Sequence, residues 1–281
     1  MNIQAQNKSR TVRNLVFFAV LVIALGWLGR LFDSLMGAKP GEGLGVTLWI
    51  VAPLAASFLL RAFAGDGWKD LGIRPNIKGN LLWYAISILI YPVCITLILG
   101  LGLALGMISI PDSSPDKIAL FVQAFGMALV TDFFINIFEE FGFRGYLAPK
   151  MYTLGLNDFV AHGWVGLIWG AWHFAYFSFV MSYTTESAVT LVPRFLLATI
   201  AVSIVYGEIR ILTHSVWPSV LMQTAGGAVL SGLLVNQLIH IKSGTAFLIS
   251  PGVEGTLTII LCALVGVGIH LWRRRGLRRE S

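Results

Sequence analysis

The chain has 281 residues, of which 56% are hydrophobic and only 12% charged, with a formal net charge of +6. A soluble domain carries about 25% charged residues to cover its surface, so this composition excludes an ordinary soluble fold. The positive balance does not indicate nucleic acid: the basic residues sit in short clusters between apolar blocks and at the two ends, with no basic domain to grip phosphates.

The apolar blocks are long enough to cross roughly 30 Å of hydrocarbon as helices. In chain order they predict eight spans, at about 14–36, 44–64, 81–110, 118–140, 160–181, 190–212, 216–239 and 253–272. The first follows Lys8, Arg10 and Arg13 and so imitates a signal peptide. Its apolar run, Leu15 to Leu28, lacks a small-x-small cleavage site, so an uncleaved helix is expected, with Arg30 and Asp33 near its far end. The third is glycine-rich with Pro92 inside, which predicts a tilt or kink. Cys94 and Cys262 lie inside apolar blocks without metal or CxxC spacing and read as packing residues.

The longest polar stretch, Gly65 to Asn80, has 16 residues and leaves no room for a separate soluble domain. The fold class is therefore all-α: a polytopic integral membrane helical bundle of about eight transmembrane helices, one membrane domain over 1–281. Orientation follows from the Lys/Arg bias of the short loops. With both termini in the cytoplasm, 15 basic residues fall on that side, the last of them Arg278 and Arg279, against Lys39, Lys117, Arg194 and Lys242 on the other. The expected location is the cell membrane, multi-pass, with the lipid bilayer as partner and no nucleic acid.

Ionisable residues inside such helices cost roughly 2.5–3.5 kcal/mol each at mid-span on insertion scales, so each calls for a reason. The fourth block holds Asp132, Asn136, Glu139, Glu140 and Arg144. Asp132, Asn136 and Glu139 recur at steps of four and three and share one helix face, while Glu140 and Arg144 are spaced to pair with each other. A charged helix end at the interface accounts for the last two alone; it does not account for Asp132 and Asn136, one to two turns deeper. The fifth block places His162, Gly166, Trp169 and His173 on one face. His173 is the deep member, and a glutamate on the neighbouring helix would let the two share a water. Between the sixth and seventh blocks, His214 falls in a short turn, Pro218 opens a new helix, and Gln223 and Thr224 follow one to two turns inside it, ahead of Gly226-Gly227.

Glu139-Glu140-Phe-Gly-Phe-Arg144 resembles the EExxxR motif of the CPBP family, the CAAX prenyl endopeptidases and bacteriocin-processing (Abi-like) intramembrane proteases. Trp169 to His173 resembles the family's FxxxH motif, with tryptophan in place of phenylalanine. The Trp68-Lys-Asp70-Leu-Gly72-Ile segment and His214-Ser-Val-Trp217-Pro218 add to a likeness that spans about 66–230, a CPBP-like catalytic region. The resemblance implies an intramembrane endopeptidase in which Glu139 and His173 activate a water, with Glu140 and Arg144 in supporting roles. The family's third motif, HxxxN or HxxxD, is altered here to Gln223 and Gly227. Gln223, Asn136, Trp169 and His214 remain as candidates for the oxyanion site or the site lining, and losing one oxyanion donor typically costs about 10²–10³ in rate.

The expected reaction is hydrolysis of a peptide bond in a membrane-anchored or hydrophobic peptide, within a cavity open to the cytoplasm. No cofactor is expected: there is no HExxH, and Asp132, Glu139, Glu140 and His173 fit a glutamate–histidine mechanism better than a closed zinc site. The alternatives are a catalytically inactive member acting in bacteriocin self-immunity or as a membrane scaffold, and a proton-coupled carrier. The carrier lacks support from paired broken helices or internal symmetry.

Overall fold

The computed structural model describes residues 3–235 and 237–280, with side chains for 7–234 and 237–276. The side chains of Arg278 and Arg279 lie outside the described residues. Each predicted apolar block becomes helix: α1 Ile3–Leu35, α2 Leu44–Phe63, α3 Leu81–Ala104, α4 Pro115–Gly142, a short α5 Ala148–Tyr152, α6 Asp158–His173, a one-turn α7 Phe177–Val180, α8 Ala188–Thr213, α9 Trp217–Leu230, a one-turn α10 Ala246–Ile249 and α11 Thr256–Glu280. The fold is the expected all-α polytopic one, and six of these helical stretches are long and apolar enough to cross a membrane.

The two that fall short are the predicted fifth and seventh spans. Regular α-structure lasts 16 residues in α6 and 14 in α9. Beyond them the chain continues as a 3-10 turn, Phe174–Tyr176, and a π turn, Ser231–Val235. The third span also ends early. Gly106 takes left-handed backbone, φ 64, and Ile108–Ser109 (β1) leaves the helix to pair antiparallel with His240–Ile241 (β2).

Local chemistry sets several helix starts. Ser114 caps α4 through Lys117 N–H with Pro115 at the first turn, Asn157 accepts from Phe159 N–H at 2.9 Å to open α6, and Ser187 accepts from Val189 N–H at 3.3 Å to open α8. Pro218 opens α9 as expected. His214 ends α8 in the left-handed region, φ 52.

The eight long helices close into a ring of packed neighbours, in the order α1, α2, α4, α9, α3, α11, α8, α6 and back to α1. Apolar side chains such as Phe17, Val20, Leu89, Val93 and Leu97 face outward, while Asp33, Arg61, Glu139, Glu140, Arg144, Glu208 and Arg210 are buried. This inside-out distribution is what a bilayer demands, since polar groups there must be satisfied within the protein. Arg61, Lys150, Arg210 and Arg273 mark one end of the ring, here the basic end, and the β1–β2 pair marks the other, the hairpin end. Asp33, near the far end of α1 as expected, is fully buried and accepts from Gly45 N–H at 2.6 Å and Tyr176 O–H at 2.7 Å, clamping α1 to its neighbours.

Candidate active site

The site is assembled where α4 gives way to a π turn, Phe143–Leu147. That wider turn carries Arg144 into the middle of the ring. Its guanidinium bonds Glu140 at 2.7 Å and Ser203 of α8 at 3.3 Å, and it lies 4.5 and 4.4 Å from the ring centroids of Trp169 and Tyr206. Glu140 and Arg144 are both fully buried, so the pair is a core feature and not an interfacial helix end. Glu140 Oε2 and Arg144 Nε remain buried without a hydrogen-bond partner.

Glu139, 4% exposed, accepts a hydrogen bond from the Trp169 indole through Oε1. Its other oxygen has no partner among the described residues, which leaves it available to a water or substrate. Trp169 links the two predicted water-activating residues, because its carbonyl oxygen lies 2.8 Å from His173 Nδ1. A carbonyl only accepts, so Nδ1 carries the hydrogen, and in the neutral ring the lone pair sits on Nε2. Nothing among the described residues occupies Nε2. Trp49 and Trp172 pack edge-on against the same imidazole, with centroids 5.9 and 4.7 Å away.

A cavity of about 430 Å³ is lined by Asp132, Asn136, Trp169, His173, Tyr206 and Gln223, among others. Asn136 donates to Thr224 Oγ1 at 3.1 Å, tying α4 to α9, and Gln223 Oε1 is buried with no partner. Gly227 explains part of the altered third motif. A Cβ built there would collide with Asp132 Oδ2, so the carboxyl arriving from α4 fills the space of the side chain that α9 lacks. Glycine leaves the carboxyl room for that approach, and a Cβ there would have to push the flexible Asp132 side chain aside.

Of the sequence candidates, the fold gathers Asn136, Trp169, His173 and Gln223 on this cavity; Glu139, Glu140 and Arg144 are not among its lining residues, and Glu139 is joined to it through its bond to Trp169. His214 is elsewhere: it is exposed and lines a second cavity at the basic end. Its left-handed conformation at the end of α8 turns it away from the bundle interior. The opening differs too. From its middle the cavity runs past Phe195 and Leu234 to Met181, exposed Ser182 and Tyr183 at the hairpin end, whereas the basic end was expected. At this mouth Tyr183 donates to Glu254 at 2.6 Å. Burial and that carboxylate keep the tyrosine hydroxyl well above the usual phenol range.

Sequence reasoning missed a second polar cluster. Glu208, fully buried, receives His162 Nε2 at 3.1 Å, His270 Nδ1 at 2.9 Å and Arg273 Nε at 2.6 Å. Asp158, Glu208 and His270 are close enough together to hold an ion. However, the Arg273 guanidinium already bridges both carboxylates, so this is an ion-pair network. Only the buried, charged spacing of Glu208 and Arg210 on α8 hinted at it.

Such a ring, with carboxylates, an imidazole and a cavity inside apolar helices, defines a polytopic intramembrane protein whose interior is built for polar chemistry. Residues 121–229 match the family model described as type II CAAX prenyl endopeptidase Rce1-like, which supports the CPBP/CAAX-protease family and, at family level, an intramembrane endopeptidase. No curated protein matches the chain significantly.

Proposed function

We propose that this protein cleaves a peptide bond in a membrane-anchored or hydrophobic peptide, with Glu139 and His173 activating the water. The observation that carries the reading is the Trp169 bridge. One residue holds Glu139 through its indole and fixes the His173 tautomer through its carbonyl, leaving a carboxylate oxygen and an imidazole nitrogen unspent. Glu139 takes the proton as a water attacks the peptide carbonyl, and His173 Nε2 accepts a hydrogen bond from the same water. Glu139 then returns the proton to the leaving amine as the intermediate collapses and the C–N bond breaks. Glu140 and Arg144 hold Glu139 and Trp169 in place, and Gln223 supplies an amide toward the oxyanion. The cavity's apolar walls, Phe179, Val180, Phe195 and Leu230, suit a greasy substrate segment, and the match to a CAAX prenyl endopeptidase family makes a prenylated peptide the first to try.

With the termini in the cytoplasm, as the basic bias indicates, the mouth at Ser182 faces the opposite compartment. The test is turnover of a farnesylated peptide ending in a CAAX sequence, and of its unprenylated form, by the protein in proteoliposomes. Glu139→Gln and His173→Ala are each expected to lower turnover by on the order of 10² or more. Turnover no greater than in empty vesicles for both peptides, or equal turnover in Glu139→Gln, removes the reading. Gly227, which offers no side chain, is what favours an inactive immunity or scaffold protein instead. That reading expects partner binding or immunity to survive Glu139→Ala unchanged.

A further inference from the structure

The second cavity, about 750 Å³ at the basic end, has no part in the peptidase reading. It lies between the loop after α2, the end of α5, the α8–α9 turn and the last turns of α11. Its charged lining is Lys69, Arg74, Arg210 and Arg273 against Asp70 and Asp158. Both acids are already committed. Asp70 pairs with Arg61 at 2.6 Å and Lys150 at 2.9 Å, neither of which lines the cavity, and Asp158 pairs with Arg273 at 2.6 Å.

Three cations are left with no carboxylate partner among the described residues: exposed Lys69 and Arg74, and Arg210, which is only 6% exposed. Arg210 donates from Nε to the Arg144 carbonyl at 3.1 Å and from Nη2 to the Asp70 carbonyl at 2.7 Å. Those bonds orient the guanidinium without neutralising it. A buried charge is costly unless an opposite charge meets it, and the nearby Asp70 carboxylate is already shared by Arg61 and Lys150. The lining therefore carries more positive than negative charge and favours an anion. The guanidinium fork and two flexible cations suit a phosphate group with several acceptor oxygens. Exposed Trp68 and Ile73 on the same wall add an apolar rim where the membrane-spanning helices end.

We propose that this cavity binds a phosphate-bearing anion, and that its occupant is the headgroup of an anionic phospholipid, the apolar rim taking the start of the acyl chains. Free phosphate shares the chemistry but would leave that rim unused. The experiment titrates the delipidated full-length protein, in neutral detergent, with short-chain phosphatidylglycerol, short-chain phosphatidylcholine and inorganic phosphate, by calorimetry. Saturable binding of phosphatidylglycerol is expected, with phosphate competing more weakly and phosphatidylcholine silent. Lys69→Ala combined with Arg74→Ala removes two exposed side chains that make no ion pair among the described residues; with the fold checked by circular dichroism, affinity is expected to fall about 10- to 30-fold. Phosphate binding as tight as phosphatidylglycerol would keep the anion site and assign it to free phosphate. No saturable anion binding, phosphatidylcholine binding equal to phosphatidylglycerol, or unchanged affinity in the double variant overturns the proposal. Cleavage is not read at any step, so the result is independent of the peptidase reading.

Discussion

Gly227 and Asp132 form one unit although 95 positions separate them, and the sequence displays them only as an acid in a membrane helix and a gap in a motif. The residue that a Cβ at 227 would strike is the carboxyl end of a flexible side chain, so Gly227→Ala displaces Asp132 and leaves the helices in place. The Asp132 carboxyl lines the cavity where the third motif lacks a side chain, and in its protonated form it can donate toward the oxyanion. On that footing we expect Gly227→Ala and Asp132→Ala each to lower peptide turnover by on the order of 10², with thermal unfolding little changed. The double variant should be no worse than either single, because the second change finds the carboxyl already gone. Multiplying losses in that double-mutant cycle would show the two positions to be independent. The EExxxR and His173 spacing was legible in the sequence because each is a short-range pattern within a few residues, even though Arg144 falls in the π turn beyond α4. The Asp132–Gly227 fit was not, because it depends on how close α4 and α9 approach.

The turn after α4 shows what helices can do that hydropathy cannot foretell. An apolar run looks the same whether its backbone bonds skip four residues or five, so neither the π turn at Phe143–Leu147 nor the early ends of α6 and α9 had a compositional sign. The π turn delivers Arg144 to Glu140, Ser203, Trp169 and Tyr206 at once. Removing one member of a fully buried pair leaves the other charge uncompensated, which costs about 3–5 kcal/mol. Arg144→Met should therefore destabilise the protein by about that much in chemical denaturation. Arg144→Met with Glu140→Gln should recover most of it, since no bare charge remains. A double variant as unstable as Arg144→Met would mean that the arginine's packing, and not its charge, is what α4 relies on.

The basic end ties separate parts of the chain together through Asp70. Arg61 of α2 bonds Asp70, the Gly67 carbonyl and, at 2.5 Å, the Gly145 carbonyl of the π turn, while Lys150 of α5 bonds Asp70 and the Asp66 carbonyl. Burial pushes the Asp70 carboxyl up, but Lys150 and Arg61 more than offset it, so its pKa falls below 3.8. A carboxyl held lower in the folded state adds stability that is fully present above its unfolded value near 3.8 and disappears as pH falls through the folded value. Asp70→Asn should thus lower the unfolding temperature at neutral pH, and its deficit against the native chain should shrink as pH drops below about 4. A deficit that stays constant across that range would mean the charge on Asp70 is not what holds this end.

Which way the bundle faces decides where a substrate comes from. Helical class was readable from hydropathy alone, because a bilayer forces apolar faces outward on every helix, but the count of eight was not, since only six helical stretches are long and apolar enough to cross. The direction of the cavity was not, since it depends on the closed neighbour order of the ring, in which α6 and α9 stop short and leave space toward the hairpin end. We propose, from the basic bias, that the termini lie in the cytoplasm, which would open the cavity mouth at Ser182 to the other side. Ser182→Cys tests this in intact cells with a membrane-impermeant maleimide. The native thiols Cys94 and Cys262 are buried and should give little background. We expect Ser182→Cys to label without permeabilisation and Lys78→Cys, in the exposed loop at the basic end, to label only after it. The reverse pattern would turn the protein over in the membrane and place the mouth, with any peptide it admits, on the cytoplasmic side.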